Sequence, residues 1–482
     1  MNFDEQVFKA NDIRGAYPDS IDESFAWLLG KGIATELGAE NVVVGRDCRL
    51  SSPQLTGAVH AGLTDGGVEV GVVGLCPSEL IYYIMGSSEK YDLAVIVTAS
   101  HNPPGFNGFK LVGTGGAPVT SADALGTLQG WMRSADHPEF CGASEPEQNV
   151  FAEQEYIDYA LGEARRRRDL DRLKVVVDPG NGTGGILWDD LSEAIGLQPV
   201  KMNFEPDGHF PAHMPNPAKK ENLEPLIQRV MDEKADVGFA YDGDADRTVA
   251  VLSDGHVLGG SEMIAALVEH LFEGAPSSLS AVSMTTSRKV LDFLRHKGRD
   301  PVIVPVGHSK VKRIMRSRDD IDFAGEESGH YFYREFFCCE SSLITTQHLL
   351  QLTAEGKLED LPDKLAGPWI GPDPEPAFPF ARQDEALEAC RLAAREALKR
   401  YPNPREIMCE YTWDIERQCK PDDIDTATGV RADYEDWWFA VRPSGTEPLA
   451  RLTGEARTSA DLREKLRVIG EFFPRGGEKA RD

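Results

Sequence analysis

The sequence predicts an α/β protein of several domains, and three observations carry that reading. The chain has 482 residues, too many for a single hydrophobic core and enough for about three or four domains. Short β-rich apolar runs alternate with helical stretches through the first three-quarters of the chain, the pattern of layered sheets with strands buried on both faces. The segment GPDPEPAFPF (371–380) is dense in proline and cannot continue a helix or a central strand, so it reads as a linker into a separate C-terminal domain.

The expected strands are NVVVG (41–45), VEVGVVG (68–74), LAVIVTAS (93–100), KVVVD (174–178), DVGFAYDGD (236–244) and VIVPVG (302–307). Several end in Gly, Asp, Asn or Ser clusters: GRDCR, TASHNPPG, DPGNGTGG, DGDADR and VGHSK. In open α/β sheets such strand-end loops are where ligands sit. Three rounds of the pattern, each of roughly 100–150 residues, point to three related α/β domains rather than one long sheet. The run Arg165–Arg168 reads as favourable charge at a helix C-terminus, and the tail 474–482 as frayed.

Composition narrows the function classes. With 41% hydrophobic and 27% charged residues this is an ordinary folded chain, and no apolar run approaches the roughly 18 residues needed to span a bilayer. The acidic start, MNFDEQVFKAND, lacks the basic and apolar regions of a signal peptide, so the expected location is cytoplasmic, without a membrane partner. A net charge of −28 argues against a nucleic-acid partner and requires any anion site to be locally basic. The 8 cysteines are scattered without a CxxC pair, which fits reduced buried thiols better than a disulfide framework or a zinc site.

Four loops hold the candidate chemistry. In DGDADR, Asp242, Asp244 and Asp246 follow a buried strand at i, i+2 and i+4, a spacing that turns all three the same way in an extended loop. Three like charges resist ionising together unless a cation sits among them, and hard oxygens suit Mg²⁺ or Ca²⁺. An EF-hand is excluded, because its glycine and glutamate positions hold Arg247 and Ser253. In TASHNPPGFNGFK, Ser100 stands at a loop tip as a candidate nucleophile, with His101 and Lys110 to relay a proton and supply positive charge. By itself this loop reads slightly better as a Pro/Gly-stabilised turn with an incidental serine. AGEESGH places Glu326, Ser328 and His330 within five residues, as hydrogen-bonding groups for sugar hydroxyls or as a polar turn. VRPSGTEPLAR joins Arg442 and Arg451 to a Ser-Gly-Thr turn, a phosphate cradle or a β-turn with surface arginines.

These four motifs in this order, together with FKANDIRG (8–15), DGHFPAHMPNP (207–217) and VGHSK (306–310), resemble the α-D-phosphohexomutase superfamily, most closely its phosphomannomutase/phosphoglucomutase branch. The resemblance spans nearly the whole chain. It implies four domains around a central cleft, three related α/β mixed-sheet domains and a smaller C-terminal α+β domain acting as a lid. The corresponding boundaries are 1–153, with the phosphoserine loop, 154–257, with the Mg-binding loop, 258–370, with the sugar-recognition loop, and 371–482, with the phosphate-binding lid.

By the same resemblance the enzyme interconverts hexose 1-phosphate and hexose 6-phosphate, with mannose or glucose as the sugar. It works through phosphorylated Ser100 and a hexose 1,6-bisphosphate that also serves as activator. Asp242, Asp244, Asp246 and the phosphorylated Ser100 would hold Mg²⁺, and Arg14, His101, Lys110, Arg247 and His330 would surround the transferring group. His308, Glu326 and Ser328 would contact the sugar, while Arg442, Ser444, Gly445, Thr446 and Arg451 would hold the phosphate that is not reacting. Asn11 stands where mannomutases usually carry Tyr, Glu327 stands where they commonly have Met, and RPSGTEP is closer to the glucose and glucosamine enzymes. The sugar is therefore open, with a phosphoglucosamine mutase or a Mg-dependent sugar phosphatase as alternatives.

Overall fold

The computed structural model describes residues 4–474 except 136–139, 141, 143, 163–168, 275–277, 366, 373–374, 412–413 and 446. The run Arg165–Arg168, Thr446, Cys141 and residues 475–482 of the tail thus lie outside the described residues. The chain divides into two compact units, Met1–Leu271 with Ser328–Leu361, and Phe272–Glu327 with Pro362–Asp482.

The first sheet of the first unit contains β1 (Ile13–Ala16), β2 (Asn41–Arg46), β3 (Glu69–Leu75), β4 (Leu93–Val97), β5 (Phe106–Gly113) and β6 (Ala117–Pro118). Its order is β1-β5-β4-β2-β3, with β6 on β5. β4, β2 and β3 run parallel, as the apolar runs predict, whereas β1 and β5 are antiparallel additions. Val42, Val44, Val95, Val97, Phe109 and Leu111 are buried against helices α1 (Glu23–Glu36) and α2 (Ser52–Asp65). Those helices touch backbone to backbone: a Cβ on Gly62 would lie 2.0 Å from the Trp27 carbonyl oxygen, so no side chain fits there.

The second sheet comprises β7 (Val175–Asp178), β8 (Val200–Lys201), β9 (Val237–Tyr241), β10 (Thr248–Leu252) and β11 (Val257–Leu258), in the order β11-β10-β9-β7-β8. β8, β7 and β9 are parallel, and β9 returns into β10 as an antiparallel hairpin closed by Tyr241 opposite Thr248. In the second unit β12 (Leu279–Ser283), β13 (Val302–Val304) and β14 (Ile321–Gly325) are parallel with β12 in the centre. The hairpin of β15 (Tyr331–Tyr333) and β16 (Cys339–Glu340) belongs to the first unit.

The C-terminal sheet is antiparallel, with β17 (Ala377–Pro379), β18 (Glu406–Glu410), β19 (Ile415–Arg417), β20 (Gly429–Asp433), β21 (Trp437–Pro443) and β22 (Leu449–Ala456) ordered β17-β22-β21-β20-β18-β19. Part of the proline-rich segment is thus more than a linker. Ala377–Pro379 pairs with β22 at the sheet edge, a place where a strand tolerates proline.

One expectation is corrected. Cys409 and Cys419 form a disulfide, because the β18–β19 hairpin returns the chain so that their Cα atoms stand 6.1 Å apart. Ten residues of separation carry no signature in the sequence. Cys48, Cys76, Cys338, Cys339 and Cys390 are free thiols, all of them buried except the half-buried Cys48. Among the described residues no helix is long and apolar enough to cross a membrane.

One buried carboxyl makes stability depend on pH. Glu79, near the start of helix α3 (Ser78–Ser87), accepts from Tyr156 Oη at 2.7 Å and from the Leu343 amide at 3.0 Å. Burial pushes its pKa from 4.5 up to about 7. A carboxyl that keeps its proton better folded than unfolded contributes fully below pH 4.5 and loses that contribution as pH rises through about 7. Unfolding free energy should therefore fall across this window by on the order of 3 kcal/mol. Chemical denaturation at stepped pH should show the decline in the native chain and its flattening in Glu79→Gln.

Candidate active site

Two hairpin loops of the first unit build the centre of the site. The loop between β4 and β5 carries Ser100, and the loop between β9 and β10 carries the three aspartates. Ser100 is buried and adopts a φ of 50°, a left-handed conformation that a non-glycine residue holds only when its surroundings enforce it. Its Oγ donates to Asp242 Oδ2 at 2.8 Å and lies 3.2 Å from His101 Nδ1. The two loops come this close because residue 243 is glycine: a Cβ there would lie 2.6 Å from the Ser100 carbonyl oxygen.

The aspartates converge, but through a turn rather than the expected extended loop. Ala245 has φ 56°, its amide bonds the Asp242 carbonyl at 3.1 Å, and Asp242 Oδ1 accepts from the amides of Asp246 and Arg247 at 3.0 and 3.2 Å. One carboxylate therefore caps the loop that holds the other two. All three are buried, with an oxygen from each lying within 4.8 Å of the others. Asp244 Oδ1 and Asp246 Oδ1 are buried without a hydrogen-bond donor. Converging hard oxygens with unused lone pairs fit a divalent cation of the Mg²⁺ type.

Cations surround the trio because of strand register. Arg14 on β1 pairs with Gly108 on β5, two residues from Lys110, so both side chains leave the same face of the sheet. Lys110 Nζ donates to Asp244 Oδ2 at 2.5 Å and Asp246 Oδ2 at 2.6 Å. Arg14 Nε donates to Asp12 Oδ2 at 2.7 Å, while its Nη1 reaches the Ala99 carbonyl at 3.3 Å and Asn102 Oδ1 at 3.2 Å. Arg247 Nε donates to His330 Nε2 at 3.1 Å and stands 3.6 Å from Asp242 Oδ2.

The electrostatics follow from this crowding. Burial and the neighbouring Asp246 and Asp244 push the Asp242 carboxyl well up. Burial would also raise Asp246, but Lys110, His330 and Arg247 together outweigh it and hold Asp246 well down. Lys110 in turn is kept charged, since Asp244 and Asp246 outweigh its burial. Burial, then Arg247 and Arg14, push the His101 pKa well below its usual value, so that imidazole is neutral. His330 Nδ1 faces the Asp246 carbonyl at 3.1 Å, and its Nε2 accepts from Arg247. That arrangement selects the Nδ1–H tautomer.

Ser328 lies half-buried in the turn before β15, where the Gly329 carbonyl accepts from the Thr248 amide at 3.1 Å. The remaining candidates belong to the second unit. Glu326, buried at the end of β14, accepts from the Gly307 amide at 2.7 Å, directly before His308 at the start of the helix His308–Ser317. Arg442 on β21 stands directly opposite Arg451 on β22. Facing arginines repel unless an anion lies between them or carboxylates flank them. Arg451 has Glu375 at 3.3 Å and Glu447 at 3.4 Å, whereas Arg442 Nε is buried without a hydrogen-bond partner. Ser444 is buried at the end of that hairpin, and the exposed Gly445 has open space at its Cβ position.

Several residues of the centre escape sequence reading. Ser78 donates to Asp244 Oδ2 at 2.9 Å, and Asn102 holds Arg14. Glu340, buried on β16, forms with Asp246 and His330 a second group of closely spaced ligand atoms. Asp47 and Arg49 lie in GRDCR, a strand-end cluster that could have flagged them.

Known proteins share the sequence and fold along the whole chain. The phosphoglucomutase/phosphomannomutase models match in all four parts: α/β/α domain I over residues 5–127, domain II over 154–255, domain III over 259–367 and the C-terminal domain over 385–468. The chain belongs to the phosphoglucomutase/phosphomannomutase family. It is accordingly an enzyme of the mutase type, an isomerase, with three α/β domains and a C-terminal sheet domain. A phosphomannomutase/phosphoglucomutase of Pseudomonas aeruginosa is 31% identical over 96% of this chain and 94% of its own. A phosphomannomutase of Escherichia coli is 30% identical over 95% of this chain and 96% of its own. The crystal structure of a family protein from Burkholderia thailandensis superposes with a TM-score of 0.81 at 29% identity, covering 97% of this chain and 98% of that one.

Lys110 is the main neutraliser of the buried carboxylates, so Lys110→Met should cost roughly 3–5 kcal/mol in chelator. Added Mg²⁺ should restore more stability to this variant than to the native chain. Thermal unfolding in EDTA and in Mg²⁺ measures both.

Proposed function

We propose that Ser100 carries the phosphoryl group that this family member moves between the two ends of a hexose phosphate. The observation that supports this most is the hydrogen bond from Ser100 Oγ to Asp242 within the buried aspartate trio. A serine incidental to a turn has no reason to enter a desolvated cluster of metal-type ligands. Asp242, Asp244 and Asp246, with an oxygen of phosphorylated Ser100, would hold Mg²⁺, which when bound supplies positive charge against the phosphoryl oxygens.

Phosphoryl transfer asks for positioning and charge more than for covalent chemistry. The free hydroxyl of a hexose 1- or 6-phosphate attacks the phosphorus and the bond to Ser100 Oγ breaks, leaving the 1,6-bisphosphate. That bisphosphate turns end for end, and its other phosphate returns to Ser100. Lys110, Arg14 and Arg247 place positive charge around the transferring group. Neutral His101, 3.2 Å from Ser100 Oγ, is suited to exchange the serine proton in either direction. His330, accepting from Arg247 at Nε2 and anchored at Nδ1 on the Asp246 carbonyl, orients that cation beside the transferring group.

In this reading Glu326, Ser328 and His308 recognise the sugar hydroxyls. Arg442, Ser444, Gly445, Thr446 and Arg451 grip the phosphate that is not reacting. The repulsion between cross-strand Arg442 and Arg451, which a bound dianion relieves, supports that assignment. The segments 1–153, 154–257, 258–370 and 371–482 would be the four functional domains, hexose 1,6-bisphosphate the activator, and the cytoplasm the location.

The test is ³¹P NMR with Mg²⁺, a trace of glucose 1,6-bisphosphate, and mannose, glucose and glucosamine 1-phosphates supplied separately. The expected outcome is growth of 6-phosphate signals, whose relative rates identify the preferred sugar. Release of inorganic phosphate without isomerisation would make the protein a phosphatase. Ser100→Ala should lose turnover by several orders of magnitude with an unchanged unfolding transition, and substantial residual isomerisation would remove Ser100 from its role.

A further inference from the structure

We propose that Arg49 is the positioning residue of the Ser100 loop, setting the geometry of the phosphoryl carrier without touching the phosphate; this rests on the reading of Ser100 as that carrier. Arg49 follows β2, which lies beside β4 in parallel, so the loops leaving the two strands meet. Its side chain is fully buried. Nε donates to Asp47 Oδ2 at 3.0 Å. Nη1 donates to the carbonyls of Pro103 at 2.7 Å and Phe106 at 2.9 Å, and Nη2 to those of Ser100 and Asn102, both at 2.7 Å.

A guanidinium has five N–H donors, and five acceptors take them here. None is left for a substrate oxygen. That distinguishes Arg49 from Arg14 and from the cradle arginines, whose bonds to protein leave donors over. Four of the five acceptors are backbone carbonyls of the segment Ser100–Phe106, so a single planar group sets the path of the loop.

The anchor is itself anchored. Asp47 Oδ1 accepts from the Arg49 amide at 3.0 Å and from Ser52 Oγ at 2.6 Å. Asp47 Oδ2 accepts from Thr98 Oγ1 at 2.7 Å, and Thr98 Oγ1 accepts from the Ser100 amide at 2.9 Å. Both ends of the Ser100 residue, its N–H and its C=O, are therefore tied to the Asp47–Arg49 pair. This explains how a serine is kept at φ 50°. The stretch 207–217 seals the arrangement. The Phe210 ring lies 5.3 Å from the guanidinium carbon, and a Cβ on Gly208 would sit 2.8 Å from the Arg49 Cα.

Lysine at this position keeps the charge but offers three donors on a flexible stem, so it cannot hold four carbonyls in one plane. A displacement of the order of 1 Å in a reacting group lowers rate about 100-fold while leaving ground-state binding alone. Arg49→Lys should accordingly lower kcat about 100-fold, with KM for the hexose phosphate within about twofold of native. Thr98→Val, close to isosteric, removes the acceptor for the Ser100 amide and should show the same split to a smaller degree. Should Arg49→Lys not fold, Thr98→Val decides alone.

Native kcat in a folded Arg49→Lys, or in Thr98→Val where only that variant folds, would overturn the proposal, as would a loss confined to KM. Intact-mass analysis of the native protein separates this outcome from failure of the underlying reading. A native chain that never carries phosphate on Ser100 refutes the carrier, whereas a phosphorylated native chain with a fully active Arg49→Lys refutes only the positioning role.

Discussion

Three carboxylates buried beside a serine are the constraint around which the first unit is organised. Left alone they would not stay charged together, because each raises the cost of ionising the next. The structure answers with Lys110 bridging Asp244 and Asp246, and with Arg14 and Arg247 at the margin. These three cations offset the buried carboxylates within a chain of net charge −28, and they are the positive groups of the centre that act at short range.

The sheets make that balance possible. Parallel strands deliver loops to one end of a sheet, and antiparallel additions bring side chains back alongside them. β5 carries Lys110 home beside β4, and β1 pairs with β5 so that Arg14 joins it on the same face. β10 returns from the aspartate loop to β9 in the same way. Both chemical loops are thus hairpin loops with fixed ends. Small residues let them touch: Gly243 admits the Ser100 carbonyl, and Gly208 admits the chain around Arg49.

Apolar β-branched runs made the parallel strands readable, since burial on both faces leaves little else in the sequence. β1, β5 and β10 were harder to see, because their polar members, Arg14, Lys110 and Thr248, break the apolar pattern for functional or structural ends. The aspartates announced themselves by spacing, although the loop that gathers them is a turn through Ala245 and not an extended segment. Arg49 was marked only by its place in the strand-end cluster GRDCR, and only the folded chain shows that four of its five acceptors are backbone carbonyls up to 57 positions away. The Cys409–Cys419 bond is similar, being set by hairpin register and not by any sequence spacing.

In the proposed function Ser100 and the aspartate trio form one centre for a metal and a phosphoryl group. The most direct measurement is the ³¹P line of the phosphorylated protein during titration with Mn²⁺ in place of Mg²⁺. The phosphoserine signal should broaden beyond detection near one equivalent, and remain sharp in Asp244→Asn. A phosphoserine line that stays sharp in the native protein while Mn²⁺ binds would place metal and phosphate apart and contradict it.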